Sequence, residues 1–264
     1  MRYLFVAIGT FLLSAFFIVI RYKTGWVEGF LPNFVEFVLW IPIAFFFANK
    51  VLRTTISRVP VGFREIVVII SMVFATISAN ASIQIMQSKI FGRTWSASYK
   101  DPVAKPGSSE VPVVPTVGEK IATNFVSVAG EEIGSRFIIV SALLMVMSPG
   151  WAIALSSLLF AALHTVIPIL VGMPEIGLFR LGSTGVIGVA CGIAFIRYGL
   201  GAAIAIHFLV NLVGWFAYNQ TYIANAILFG SGFVALFVLP PTLWFTRKRR
   251  KHERETLISQ AATV

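Results

Sequence analysis

Two adjacent glutamates and an arginine, in the run Glu131-Glu132-Ile133-Gly134-Ser135-Arg136, stand inside an apolar stretch at residues 121–147. A charged side chain at membrane depth costs at least about 2.5–3.5 kcal/mol on insertion scales, so each of the three needs a partner or a task. Neighbouring residues on a helix point about 100° apart, so the two glutamates cannot share one role. Glu132 and Arg136 are spaced i and i+4 with the acid first, the order that pairs best. The spacing therefore predicts that Arg136 neutralises Glu132 and that Glu131, roughly 15 Å from the outer end of its helix, faces a cavity as a candidate general base. The bland reading is a structural ion-pair cluster.

The chain has three histidines. His252 is in the basic C-terminal tail, while His164 and His207 fall inside apolar stretches of their own. Phe160 precedes His164 by one turn, and His207 and Asn211 present an imidazole and a carboxamide from one helix face. A single helical histidine is usually a satisfied polar residue. Two of them, with an asparagine and a glutamate pair on three helices, are hard to explain as independent accidents. Other protease chemistries lack their residues. The chain has one aspartate, Asp101, no HExxH and no GxSG, and its one cysteine, Cys191, lies among Gly188, Ala190 and Gly192 as a small packing residue.

Taken in order, Glu131 to Arg136 matches EExxxR, Phe160 to His164 matches FxxxH, and His207 to Asn211 matches HxxxN. Together these resemble the CAAX protease and bacteriocin-processing family of intramembrane peptidases, over about residues 121–217. The resemblance implies a catalytic set of Glu131, Glu132, Arg136, His164, His207 and Asn211. Glu131, helped by His164, would activate water, and His207 with Asn211 would donate to the oxyanion, a service worth roughly 3–4 kcal/mol per donor in other hydrolases. No cofactor is firmly implied. A zinc ion held by Glu131 (or Glu132), His164 and His207 is the alternative, with an open position for water. The implied partner is a hydrophobic or lipidated peptide or protein reaching the site through membrane lipid, and the implied location a prokaryotic cell membrane. Rival readings are a catalytically silent scaffold or bacteriocin-immunity protein, and a proton-coupled transporter.

The elements that must position these residues follow from hydropathy. Of the 264 residues, 57% are hydrophobic and 12% charged, with a mean hydropathy of +0.86. That is too little polar surface for a soluble domain. Runs of about 18 or more apolar residues are long enough to cross a bilayer, and they predict an all-α, multi-pass integral membrane protein. Eight spans are read, near 3–20, 31–48, 66–86, 121–147, 151–170, 181–196, 200–217 and 222–246. With eight crossings and both termini cytoplasmic, 12 Lys and Arg lie inside against 8 outside, which fits the positive-inside bias. The net charge of +10 is thereby explained by topology, and nucleic acid is not an expected partner.

The organisation read from the chain is a three-helix membrane region at 1–86 and a proline-rich extracytoplasmic loop at 87–120. A catalytic helical core at 121–217, a last transmembrane helix at 218–246 and a basic cytoplasmic tail at 247–264 follow. Gly182, Gly185, Gly188 and Gly192 recur at three- and four-residue spacing and predict one close helix approach.

Overall fold

Seven of the eight expected apolar spans coincide with helical rods in the computed structural model, which describes residues 2–24, 30–55, 62–91, 116–170, 172 and 174–219. The expected span at 222–246 and the basic tail lie outside the described residues. The elements are α1 (Arg2–Thr24), α2 (Phe30–Thr55), α3 (Phe63–Phe91) and α4 (Val117–Glu132), which runs on through a π-helical stretch (Ile133–Val140) into α5 (Ser141–Leu144). Then come α6 (Pro149–Leu170), α7 (Pro174–Tyr198) and α8 (Leu200–Asn219). No strand occurs among the described residues.

Among the described residues, four segments are long and apolar enough to cross a membrane: Tyr3–Arg21, Phe63–Ile83, Pro149–Leu170 and Pro174–Tyr198. Their surfaces agree. Phe5, Leu12 and Phe16 of α1 and Trp151 and Leu158 of α6 are exposed apolar groups, as expected of side chains facing lipid. Helices α2 and α8 contribute shorter apolar segments, Asn33–Ala44 and Leu200–Gly214. The rod that starts at α4 carries the buried charges.

The start of α4 is set chemically. Thr116 is the N-cap: its hydroxyl accepts from the backbone N–H of Glu119, and the Glu119 carboxylate accepts from the Thr116 N–H at 2.8 Å. This capping box closes orphan donors that a helix otherwise leaves to water. Hydrogen bonds from the Thr116 backbone and hydroxyl hold the Glu119 carboxyl below its ordinary range. Because α3 continues to Phe91 and α4 begins at Val117, the interval left between them is 92–115, which lies outside the described residues. It is narrower than the expected 87–120 loop.

Helices α6 and α7 form the most extensive pairing among the described residues, and the glycine row explains it. A Cβ on Gly188 would sit 2.9 Å from Ser157 Cβ and 3.1 Å from Ser157 Cα, and one on Gly192 would sit 3.0 Å from Ile153 Cγ2. Gly185 meets Ala161 less closely, at 3.9 Å. Without a hydrophobic drive between helices in lipid, such close backbone approach supplies the dispersion contacts that hold them together. A single glycine in the left-handed region, Gly199 (φ 92°), joins α7 to α8. Its N–H bonds the Phe195 carbonyl at 2.9 Å, so the chain reverses at once and α8 packs back beside α7.

On the other side, α1 and α2 are tied by Arg21, whose guanidinium donates to Glu36 Oε2 and to Asn33 Oδ1, both at 2.8 Å. Helix α2 then lies on α4 where glycines admit it. A Cβ at Gly130 would be 3.5 Å from Phe37 Cα, and one at Gly134 would be 3.4 Å from the Trp40 indole. The buried Trp40 ring is thus a lid over the first turn after Glu131.

Replacing Gly188 by alanine should force α6 and α7 apart, at a cost of about 1–3 kcal/mol typical of overpacking. It should be read as a lowered melting temperature of the detergent-solubilised protein. Gly150→Ala, at a position with nothing within 4 Å, should leave the melt near that of the wild type.

Candidate active site

The fourth rod departs from α-helical geometry immediately after Glu132. Over Ile133–Val140 it is a π-helix, and all eight of its residues are buried. The Ser135 hydroxyl bonds back to the Glu131 carbonyl, competing with the regular backbone ladder. π-helical turns are rare and concentrate at functional sites. Here the wide turn carries Arg136.

Arg136 is fully buried, and so is Glu132. Arg136 Nε lies 3.2 Å from Glu132 Oε2, and its Nη1 donates to Ser156 Oγ at 3.0 Å. The Ser156 hydroxyl passes its own hydrogen to the Ser135 carbonyl at 3.2 Å. The guanidinium carbon stands 4.7 Å from the Phe160 ring centroid, a cation–π contact that strengthens away from water. The i, i+4 pairing expected for Glu132 and Arg136 is therefore present.

His207 does not stand apart with Asn211. Its Nδ1 is 2.9 Å from Glu132 Oε1, so Glu132 bridges the arginine and the histidine. A carboxylate only accepts, so Nδ1 of His207 carries a hydrogen and its Nε2 is left for another partner. His164 is oriented in the same sense, with Nδ1 donating to the Phe160 carbonyl at 2.9 Å. Pro168, four residues on, has no N–H for the His164 carbonyl. The Phe160 ring contacts both imidazoles, with centroids 4.6 Å from His164 and 5.6 Å from His207.

Both Nε2 atoms face Glu131. His164 Nε2 is 3.6 Å and His207 Nε2 3.8 Å from Glu131 Oε2. The other oxygen, Oε1, accepts from the Ser127 hydroxyl at 2.9 Å, while Oε2 has no protein donor. The Glu131 and His164 side chains are 26% and 31% exposed, the only members of the Glu131–His164–His207 group that open outward, since His207 is 3% exposed. Glu131 Oε2 and the two imidazole Nε2 atoms, from α4, α6 and α8, thus converge beside the partly exposed Glu131 and His164 side chains. A carboxylate beside two imidazoles is chemically able to accept a proton from an attacking water.

Asn211 lies on the same α8 face as His207 and is engaged by Asn124 of α4, donating to its Oδ1 at 3.4 Å. Asn124 and Ser127 were not singled out from the sequence. The signal was there, because Lys120, Asn124, Ser127 and Glu131 repeat at four, three and four residues and form one polar row along α4. Arg21, Asn33 and Glu36 also escaped that reading, because no spacing within the chain connects α1 to α2.

The zinc alternative can be tested against the donor set. Among the described residues, the group of possible ligands whose donor atoms all lie within 4.8 Å of one another is Glu132, Cys191 and His207, rather than Glu131, His164 and His207. These three fit an ion poorly. Both Glu132 oxygens already face Arg136 and His207, the guanidinium repels a divalent cation, and the Cys191 thiol donates to the Ala203 carbonyl at 3.6 Å. The cluster reads as a buried ion-pair core held by Arg136 rather than as a metal centre.

Fold and site together define a helical integral membrane protein with a buried glutamate–histidine–arginine network. Comparison with known families points the same way: residues 115–213 match the family model described as Rce1-like, type II CAAX prenyl endopeptidase. The matched stretch runs from the α4 cap into α8 and contains all six candidate residues; α1, α2 and α3 lie outside it. No curated protein and no solved structure gives a significant match.

Arg136→Ala should leave Glu132 as an uncompensated buried charge and cost about 3–5 kcal/mol, seen as a large drop in melting temperature. In Arg136→Met combined with Glu132→Gln the lone charge is gone, so much of the stability should return.

Proposed function

We propose that the chain is an intramembrane endopeptidase that hydrolyses a peptide bond in a hydrophobic or lipidated peptide or protein. The observation that carries this reading is the convergence of two oriented imidazoles on the donor-free oxygen of Glu131. The Rce1-like match over residues 115–213 supports protease chemistry of the same class. The chemistry itself follows from what each residue presents.

A substrate carbonyl enters at the open edge beside Glu131 and His164. Water donates one hydrogen toward Glu131 Oε2 and attacks the carbonyl carbon, with His164 Nε2 as the second acceptor. The proton taken up by Glu131 is returned to the leaving amine nitrogen as the C–N bond breaks. Ser127 holds Oε1, so Oε2 is the oxygen that works. His207 and the Asn211 amide donate to the negative oxygen that forms on the carbonyl. Glu132 and Arg136 act through His207, setting its ring orientation and placing a neutral ion pair behind it. In low dielectric each of these interactions is stronger than in water.

The wider expectations from composition complete the proposal. The chain crosses a prokaryotic cell membrane eight times with both termini cytoplasmic, an orientation supported by the 12-to-8 distribution of Lys and Arg. Catalysis is glutamate-dependent rather than zinc-dependent, and stoichiometric zinc lost together with activity on chelation would overturn that choice.

The test is cleavage of a membrane-peptide library by wild-type and Glu131→Gln protein in proteoliposomes, with products read by mass spectrometry. Wild-type products should be absent, or at least about 10²-fold fewer, in Glu131→Gln, and His164→Ala should be similarly impaired. Identical product profiles for wild type and Glu131→Gln would show that the network is not catalytic. Proton-coupled uptake without cleavage would instead place the same residues in a transporter.

A further inference from the structure

Asn124 lies on α4 about two turns before Glu131 and belongs to none of the three motifs. Its side chain bridges α4 and α8 through two hydrogen bonds of opposite sense. Its Nδ2 donates to the Phe208 carbonyl at 3.3 Å, and its Oδ1 accepts from Asn211 Nδ2 at 3.4 Å. Beside it, Phe125 and Phe208 meet edge to face at 5.9 Å.

The order of these bonds matters because a carboxamide can present either end to a neighbour. The Phe208 carbonyl can only accept, so Asn124 must turn its NH₂ toward it. That turns the Asn124 oxygen toward α8, and an oxygen there can only be met by the NH₂ of Asn211. The polarity of Asn211 is thus decided by a backbone carbonyl one turn away on its own helix, read through a residue on another helix. One N–H of Asn211 is held by Asn124. The second, coplanar with it, is left for another acceptor.

We infer that Asn124 is a positioning residue for Asn211: it fixes the amide with its NH₂ group toward the site, so that the free N–H meets the oxyanion. Resting on the peptidase reading of this site, the inference adds to it a residue that neither the motifs nor the ion-pair network requires. Without Asn124, Asn211 can rotate and offer its oxygen, which repels a developing oxyanion. Substrate binding in the ground state does not depend on that N–H, so the loss falls on the chemical step.

The experiment uses the full-length protein in proteoliposomes and a library peptide that the wild type cleaves and Glu131→Gln does not. Asn124→Ala should lower kcat about tenfold, the scale of one neutral hydrogen bond, with KM unchanged. In an Asn211→Ala background it should lower kcat no further, because the residue it positions is gone. Phe125→Ala removes the neighbouring α4–α8 contact from a half-exposed site and should keep kcat within about twofold of wild type. Rates are taken per folded protein from the monodisperse gel-filtration peak. Additive losses in the double variant, an unchanged kcat in Asn124→Ala, or an equal loss in Phe125→Ala would each overturn the inference. A wild type that cleaves nothing sinks the peptidase reading, and this inference with it.

Discussion

A fully buried carboxylate shared between an arginine and a histidine is the constraint on which the rest of this molecule depends. Glu132 has no exposure, and its two oxygens face Arg136 Nε and His207 Nδ1. A lone ion at this depth would be prohibitively unstable, so the three side chains, from the α4 rod and α8, can only be buried together. On α6 the guanidinium meets the Ser156 hydroxyl through Nη1 and the Phe160 face, while Nη2 has no hydrogen-bond partner among the described residues. Three rods are thereby joined by one charge. The small residues let the helices around these rods approach closely, Gly134 admitting Trp40 and Gly188 admitting Ser157.

The same constraint separates structure from chemistry in two adjacent residues. Glu132 is spent on holding the assembly, whereas Glu131 is partly open, has one oxygen occupied by Ser127 and turns the other toward two imidazoles. Each imidazole is oriented from behind by an acceptor on its Nδ1. Groups held in this way need little reorganisation when charge develops, which is the main electrostatic advantage of an enzyme site over water. The π-helical turn belongs to this arrangement, because it carries Arg136 in the layer behind the site while Glu131 stays on the regular helix.

Much of the fold and the inventory of the site can be read from residue types alone. Hydropathy marks each helical rod, and the 3.6-residue period places Glu132 with Arg136 and His207 with Asn211. The glycine row on α7 announces the α6–α7 contact. Relations between distant segments could not be read. Nothing local shows that His207 turns its Nδ1 to Glu132, 75 residues earlier, rather than acting only with Asn211. Nor does spacing disclose that Asn124 would reach α8, or that Arg21 would find Glu36. The π-helix also escaped, because no residue period or composition reports a wide turn of this kind.

The central claim is that Glu131 directs a water molecule onto a peptide carbonyl. Its most direct test is single-turnover cleavage in ¹⁸O-labelled water, with the new C-terminal carboxylate analysed by mass spectrometry. One ¹⁸O atom per cleaved bond, appearing at a rate that collapses in Glu131→Gln, is the predicted result. Labelled product formed equally fast by Glu131→Gln would contradict the account.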